Sequence, residues 1–381
     1  MKIGIVCYPT FGGSGVVATE LGIALANKGH QVHFITYSQP VRLEGFNKNI
    51  FYHEVRVSDY PLFDYQPYEL VLSSMLVNVV KYEKLDILHV HYAIPHASAA
   101  YMAKQILKSH GIYIPVITTL HGTDITLVGK DASFEPVITF SINQSDAVTA
   151  VSESLKSDTY ASFGIHKDIH VIPNFINFLD YKLPENIDAQ RAYYSPNGEK
   201  VLIHISNFRK VKRVDDVLRI FDKVRKSVPA KLILIGDGPE RSAIERLCRE
   251  LDTCNDIFSL GKVVSPEKIL PVADVFLLPS ETESFGLAAL EAMASKVPVI
   301  CSNTGGLPEV VRHGFSGFMS NVGDTDDMAK NAIYLIEDNQ RLAQFRLQAY
   351  EQASKFEITN ILPLYERLYQ NIVKRSKAMI D

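Results

Sequence analysis

The chain has little of what marks a secreted, membrane-bound or polyanion-binding protein. Of its 381 residues four are cysteine, Cys7, Cys248, Cys254 and Cys301, and no two form a CxxC pair. Cys7 and Cys301 fall inside apolar, strand-like runs. The expectation is buried, reduced thiols in a cytoplasmic protein, with no disulfide framework. No hydrophobic run approaches the length of a membrane span. The N-terminal apolar run, Ile3 to Cys7, is five residues long and broken by Gly4, too short for the core of a signal peptide. A net charge of −4 gives no general attraction to nucleic acid. Low-complexity tracts and short repeats are lacking too. What remains, 46% hydrophobic and 22% charged residues, is globular composition with room for two or three cored domains.

What is there is a regular alternation. "KIGIVCYP" reads as a buried strand, "SGVVATELGIALANKG" as a helix with apolar residues at i, i+3, i+4 spacing, and "HQVHFITY" as the next strand. That is the strand–Gly loop–helix–strand unit of a doubly wound α/β sheet. "DILHVHY", "IPVITTLHG", "DAVTAVS" and "IHVIPNF" continue the series, with a helix through "SAAYMAKQILKSHG". A polar stretch, "NFLDYKLPENIDAQRAYYSPNGEK", reads as a linker with one short helix. A second α/β series then runs from "KVLIHISNF" through "AKLILIGDG", "ADVFLLPS" and "VPVICSNTGG", and the chain is helical from about Thr325. The expected division is a domain over residues 1–175, a second over 176–360 and a last helix within 361–381. Two such domains facing a central cleft would bind ligands at the carboxyl ends of their strands.

Five loops at such ends carry chemistry-bearing residues. In "PTFGGSGVV" Gly12, Gly13 and Gly15 allow close backbone approach, and a helix expected to start after Ser14 favours an anion, but the loop is neither GxGxxG nor a P-loop. "TTLHGTD" presents His121 behind Thr119. "ISNFRKVKR" follows Ser206 with Arg209, Lys210, Lys212 and Arg213, cations suited to phosphate or carboxylate. In "LLPSETESFGLAALEAMA" Glu283 and Glu291 stand eight apart around a helix expected to begin near Ser284. The amides of Phe285, Gly286 and Leu287 would then be free to face a negative group. "SNTGGLPEVV" turns from strand to helix. "HVHYAIPHA" adds His89, His91 and His96 around Tyr92. His89 and His91 share one face of a strand, but no carboxylate or cysteine nearby in sequence completes a metal set. Asp324 and Asp326 in "GDTDD" read as a helix cap rather than a metal motif.

Taken together, "ESFGLAALEAMA", "GGLPEVV" and "GDGPE" resemble the retaining GT-B glycosyltransferases over the whole chain. The resemblance implies two Rossmann-like domains, with the nucleotide sugar mainly on the C-terminal one. It also implies a final helix, here "NILPLYERLYQNIV", that crosses back to the N-terminal domain. "CYPTFGGSGVVATELG", "HVHYAIPHA", "TTLHGTDIT" and "HISNFRKVKR" further resemble family members that move N-acetylglucosamine from UDP-N-acetylglucosamine to the hydroxyl of L-malate in bacillithiol biosynthesis. By that resemblance no metal or other cofactor is needed. His121, Glu283, Arg209 and Lys212 serve catalysis. Gly13, Ser206, Arg209, Lys212, Ser284, Phe285, Gly286, Leu287 and Glu291 hold the donor. Gly12, Ser14, Tyr92, Thr119 and Arg209 hold the acceptor. His96 is a further candidate for the acceptor side. Partners are these small molecules, with neither nucleic acid nor membrane, and a homo-oligomer is left open. A sugar phosphate, inositol phosphate or lipid remains open as acceptor, as does a non-catalytic sugar-nucleotide-binding role. The lipid case is weakened because no convincing basic amphipathic face is seen. A dinucleotide oxidoreductase is discounted for want of GxGxxG.

Overall fold

The computed structural model describes the chain except residues 11, 44, 59–65, 128, 130 and 379–381. It divides into two units, Met1–Phe175 with Ile358–Asp381, and Ile176–Glu357. In the first unit the strands are β1 (Lys2–Val6), β2 (Gln31–Thr36), β3 (Ile50–Glu54), β4 (Ile87–His91), β5 (Val116–Leu120), β6 (Ala147–Ala150) and β7 (Ile169–Val171). Every pairing is parallel and the order is β3-β2-β1-β4-β5-β6-β7. Parallel strands need helical crossovers. Here these include α1 (Gly13–Asn27), α2 (Tyr68–Glu83), α3 (Ser98–Ser109), α4 (Glu135–Gln144) and α5 (Glu153–Ser162). The strand order reverses between β1 and β4, which puts the loops after those strands at the topological switch point, where such sheets bind ligands.

The second unit repeats the logic with β8 (Lys200–Ile205), β9 (Ala230–Ile235), β10 (Ile257–Gly261), β11 (Val275–Leu278), β12 (Val299–Ser302) and β13 (Gly317–Ser320). They form an all-parallel sheet in the order β10-β9-β8-β11-β12-β13. Its helices are α6 (Ile187–Tyr194), α7 (Val214–Ser227), α8 (Arg241–Glu250), α9 (Leu287–Ala294), α10 (Leu307–Val310), α11 (Thr325–Glu337) and α12 (Asn339–Ser354). The switch point falls between β8 and β11, so the basic loop after β8 and the acidic loop after β11 meet there. The core on one face joins Val217, Ile220, Phe221 and Val224 of α7 to Leu232 and Leu234 of β9 and Leu335 of α11. The chain ends in α13 (Ile358–Ala378) of the first unit. Its buried stripe, Ile361, Tyr365, Tyr369 and Ile372, follows helical spacing, and His30 Nε2 meets Glu366 Oε1 at 3.2 Å. No helix of the described residues is long and apolar enough to cross a membrane.

Two expectations fail here. Cys248 and Cys254 form a disulfide, leaving Cys7 and Cys301 as the free, buried thiols. Helix α8 stops at Glu250, Asp252 takes a left-handed φ of 53°, and the Thr253 amide reaches back to the Cys248 carbonyl at 3.0 Å. That turn carries Cys254 over Cys248, their Cα atoms 5.3 Å apart. A six-residue spacing does not announce it. The second failure concerns α9, which begins at Leu287, not near Ser284, because Gly286 holds φ at 96° and breaks the helix before it. Glu291 therefore lies little more than one turn into the helix.

Candidate functional site

In the second unit the β8 and β11 loops are tied by backbone and side chain. The Glu281 amide donates to the Val211 carbonyl at 2.8 Å. Lys212 Nζ donates to Glu283 Oε1 at 2.5 Å, and Ser280 Oγ donates to the same oxygen at 3.0 Å. Both partners are largely shielded, with 21% of the Lys212 side chain and 12% of the Glu283 side chain exposed, so the pair is less screened than a surface bridge. The structure thus joins Glu283 to Lys212. It turns Arg213 elsewhere, its Nε on Asp216 Oδ2 at 2.6 Å. Arg209 is exposed and has no ion-pair partner among the described residues. The Ser206 hydroxyl meets His204 Nε2 at 2.8 Å and accepts the Phe208 amide at 3.3 Å, which fixes the start of the basic loop.

The acidic loop rests on the glycine pair after β12. The Gly306 amide donates to the Glu283 carbonyl at 2.8 Å. At Gly305, with φ of 55°, an added Cβ would stand 1.9 Å from the Glu283 carbonyl oxygen. Both the conformation and the space therefore demand glycine. Gly305→Ala is expected to cost roughly 1–3 kcal/mol through the backbone conformation alone, and more through the clash. Unchanged urea unfolding in that variant would show that the loop yields. Phe285 is buried edge-to-face against Phe356, ring centroids 5.7 Å apart. Its side chain is thus committed to the core. Ser284 and Glu291 are partly buried at the same loop and on α9. Asp324 caps α11, accepting the Asp327 amide at 3.0 Å, and Asp326 pairs with Lys223. Among the described residues no group of three or more His, Cys, Asp or Glu could hold a metal ion.

In the first unit the loops after β1, β4 and β5 meet. Gly12 precedes α1, which starts at Gly13, and both glycines are exposed. Of the three glycines expected to allow close approach, Gly15 is the one that packing reserves: a Cβ there would lie 2.4 Å from the Thr10 carbonyl oxygen, against 3.5 Å to the nearest atom at Gly12. Tyr92 turns at a φ of 85°. Its hydroxyl donates to Ser14 Oγ at 2.7 Å, and its ring packs on His121 with centroids 5.2 Å apart. Burial pushes its hydroxyl up to about 12, so it stays protonated. Thr119 does not present its side chain. It is fully buried, with Oγ1 2.7 Å from His89 Nε2 and 2.6 Å from Thr149 Oγ1. His89 Nδ1 in turn meets the Tyr369 hydroxyl of α13 at 2.7 Å. Thr119 therefore anchors the sheet to α13 and is set aside as an acceptor ligand. His96 is likewise buried rather than in an open loop.

His121 is partly buried, with Nε2 2.7 Å from His91 Nδ1. Burial and then the His96 imidazole lower its pKa to about 3; burial and the neighbouring imidazoles hold His91 well below the usual range. Both rings are neutral. Sequence reasoning placed Asp124 at the strand end with His121 but gave it no role, and it did not single out Ser280. Asp124 Oδ2 accepts the Ala93 amide at 2.8 Å and Oδ1 the Gly122 amide at 3.3 Å, stitching the β4 loop to the β5 loop. Burial raises its carboxyl to about 6 against the amides that lower it. Its signal was the Asp in "HGTD", three residues after His121.

The chain is similar to known proteins throughout. The family model for Glycosyltransferase Family 4 matches residues 11–178, and that for Glycosyl transferases group 1 matches residues 186–352. An N-acetyl-alpha-D-glucosaminyl L-malate synthase of Bacillus anthracis is 47% identical over 378 residues, 99% of this chain and 98% of that protein. A D-inositol 3-phosphate glycosyltransferase of Nocardia farcinica is 24% identical, covering 91% of this chain and 81% of its own. Among solved structures, a sucrose-phosphate synthase from Thermosynechococcus elongatus superposes with a TM-score of 0.83 at 18% identity, over 98% of this chain and all of that one. Anabaena HepE in complex with UDP and glucose gives 0.81 at 19% identity, over 97% and 99% of the two chains.

Proposed function

The chain belongs to the GT-B glycosyltransferases, and from that premise we propose that it transfers N-acetylglucosamine from UDP-N-acetylglucosamine to the hydroxyl of L-malate with retention at the anomeric carbon. Identity across nearly the full length of the Bacillus anthracis enzyme supports the substrates. The observation that carries the chemistry is Glu283 held by Lys212 and Ser280 at the switch point, where the basic loop also carries an exposed Arg209 with no ion-pair partner among the described residues. In the reaction the bond from the anomeric carbon to the β-phosphate oxygen breaks and a bond to the malate oxygen forms on the same face. The hydroxyl proton passes to the departing phosphate. Negative charge grows on the diphosphate and positive charge on the sugar ring. Arg209, Lys212, Gly13 and the amides of residues 285–287 oppose the first. Ser206 positions the basic loop. Glu283, with Ser284 beside it, holds sugar hydroxyls, and Glu291 holds the ribose. His121 orients the sugar, and its main-chain carbonyl faces the growing positive charge. Gly12, Ser14 and Tyr92, with Arg209, receive the acceptor. No metal is required in this scheme.

Incubation with UDP-N-acetylglucosamine, EDTA and a panel of L-malate, glycerol and inositol phosphate, read by mass, tests it. A malate glycoside is expected. Equal glycerol product, a preference for inositol phosphate, or loss of activity restored by magnesium would each overturn part of the reading. Malate is a dianion at neutral pH, and an Arg–carboxylate contact contributes about 1.5–3 kcal/mol. Arg209→Ala should therefore raise KM for malate roughly ten- to a hundredfold where that binding is lost uniformly. An unaltered KM would remove Arg209 from the acceptor set.

A further inference from the structure

We infer that His91 is a positioning residue that fixes the tautomer of His121, so that His121 offers an Nδ1–H donor to substrate. The inference rests on the proposed role of His121 as the residue that orients the donor sugar. His91 ends β4 and lies fully buried, its ring stacked on His121 with centroids 5.0 Å apart. Its Nδ1 and the Nε2 of His121 stand 2.7 Å apart. Two neutral imidazoles carry one ring proton each, and only one proton can lie between them. Two arrangements exist. In the first, His91 Nδ1–H donates, His91 Nε2 is a bare lone pair, and His121 keeps its proton on Nδ1. In the second, His121 Nε2–H donates, His91 carries its proton on Nε2, and His121 shows a bare Nδ1.

The surroundings of His91 Nε2 decide. That atom is buried and meets no protein partner among the described residues. The second arrangement would bury a donor without an acceptor, and orphaned N–H groups are rarer and costlier than under-used acceptors. One ring away the same solution is already forced. His96 Nδ1 lies 2.5 Å from the His91 carbonyl oxygen, which can only accept, so His96 protonates at Nδ1 and its buried Nε2 is the bare atom. The His96 bond also pins the His91 backbone. The partner of a ring nitrogen thus sets which nitrogen faces the ligand. A sugar hydroxyl can donate or accept, so the tautomer determines which way that bond runs and how the sugar is turned.

The test labels histidine nitrogens in the full chain and reads two-bond proton–nitrogen correlations at pH 7.5, with His121 assigned through His121→Gln. The unmodified protein should show His121 protonated at Nδ1 and bare at Nε2. In His91→Leu that preference should be lost and kcat should fall roughly tenfold to a hundredfold, with KM for malate little changed. His91→Asn, whose amide nitrogen stands near the position of the imidazole Nδ1, should restore both the tautomer and most of kcat. His121 protonated at Nε2 in the unmodified protein would overturn the inference. So would an unchanged tautomer and kcat in His91→Leu, or failure of His91→Asn to recover either. The tautomer is read without substrate. A chain that made no malate product would overturn the acceptor reading, while the tautomer assignment would stand or fall on its own signals.

Discussion

Lys212→Ala should lower kcat/KM for the sugar nucleotide by roughly a hundred- to a thousandfold, the loss typical of removing one preorganised group that faces transition-state charge. The site predicts more than a missing cation. Lys212 Nζ holds Glu283 Oε1 at 2.5 Å, and among the described residues only Ser280 Oγ, at 3.0 Å, shares that oxygen. Without the lysine, a carboxylate with 12% of its side chain exposed keeps one neutral donor. Leaving a shielded charged group short of a partner costs about 1.5–3 kcal/mol, so the second unit should also unfold at lower urea. Glu283→Ala and the double variant separate the two effects. If Lys212 acts on the diphosphate directly, the double variant should be slower than Glu283→Ala alone. If it serves only to aim Glu283, the two should be equally slow. Activity of Lys212→Ala within a factor of two of the unmodified protein would sink both forms.

Much of this site was legible in the sequence because parallel α/β folds place function in loops that follow strands. "ISNFRKVKR" and "LLPSETESFG" could be assigned to strand ends from their apolar runs alone, and the sheet order then brings them together between β8 and β11. The boundary was read near residue 175 from a change to polar, proline-containing sequence. β3 and α2, over residues 50–83, were not singled out. Strand β3 lies at the sheet edge with Phe51 and Tyr52 exposed, which blurs the pattern of a buried strand.

What stayed hidden depends on partners across the sheet. Thr119 looks like any strand-end threonine until register sets it opposite His91 of β4 and Thr149 of β6. Its neighbours then turn it from a candidate ligand into an interior anchor. His91 and His121 are thirty residues apart in sequence, and no periodicity links them. The start of α9 was misplaced because a glycine at φ of 96° overrides helix-forming neighbours, a choice fixed by Leu307, whose Cδ2 lies 2.5 Å from where a Gly286 Cβ would stand.

Acidification from pH 7.5 to 5 should destabilise the first unit well before the second. In the first unit burial lowers His33 and His96 to about 4 and His89 and His121 to about 3, from an ordinary 6.5. His91 is depressed as well. A depressed histidine pKa makes the unfolded chain the better proton binder as pH falls through 6.5. The stability is therefore full above 6.5 and is lost progressively until the folded pKa is reached. At pH 5 each such group costs about 2 kcal/mol, so His33, His89, His96 and His121 together cost about 8 kcal/mol. Asp124 works the other way. Its pKa is raised from 3.8 to about 6, so its contribution is full below 3.8 and lost as pH rises through 6, returning about 1 kcal/mol between pH 7 and 5. The second unit has one comparable group, His204, lowered to about 4 chiefly by burial. A net loss of about 7 kcal/mol rivals the whole stability of an ordinary domain. The chain has no tryptophan and 18 tyrosines, so calorimetry with hydrogen exchange is the suitable readout. After correction for intrinsic exchange rates, peptides from β1, β4 and β5 should lose protection at pH 5 while those from β8, β9 and β11 keep most of theirs. Equal loss in both sets, or a calorimetric profile that does not move between pH 7.5 and 5, would show that the histidines of the first unit are not held neutral by the fold.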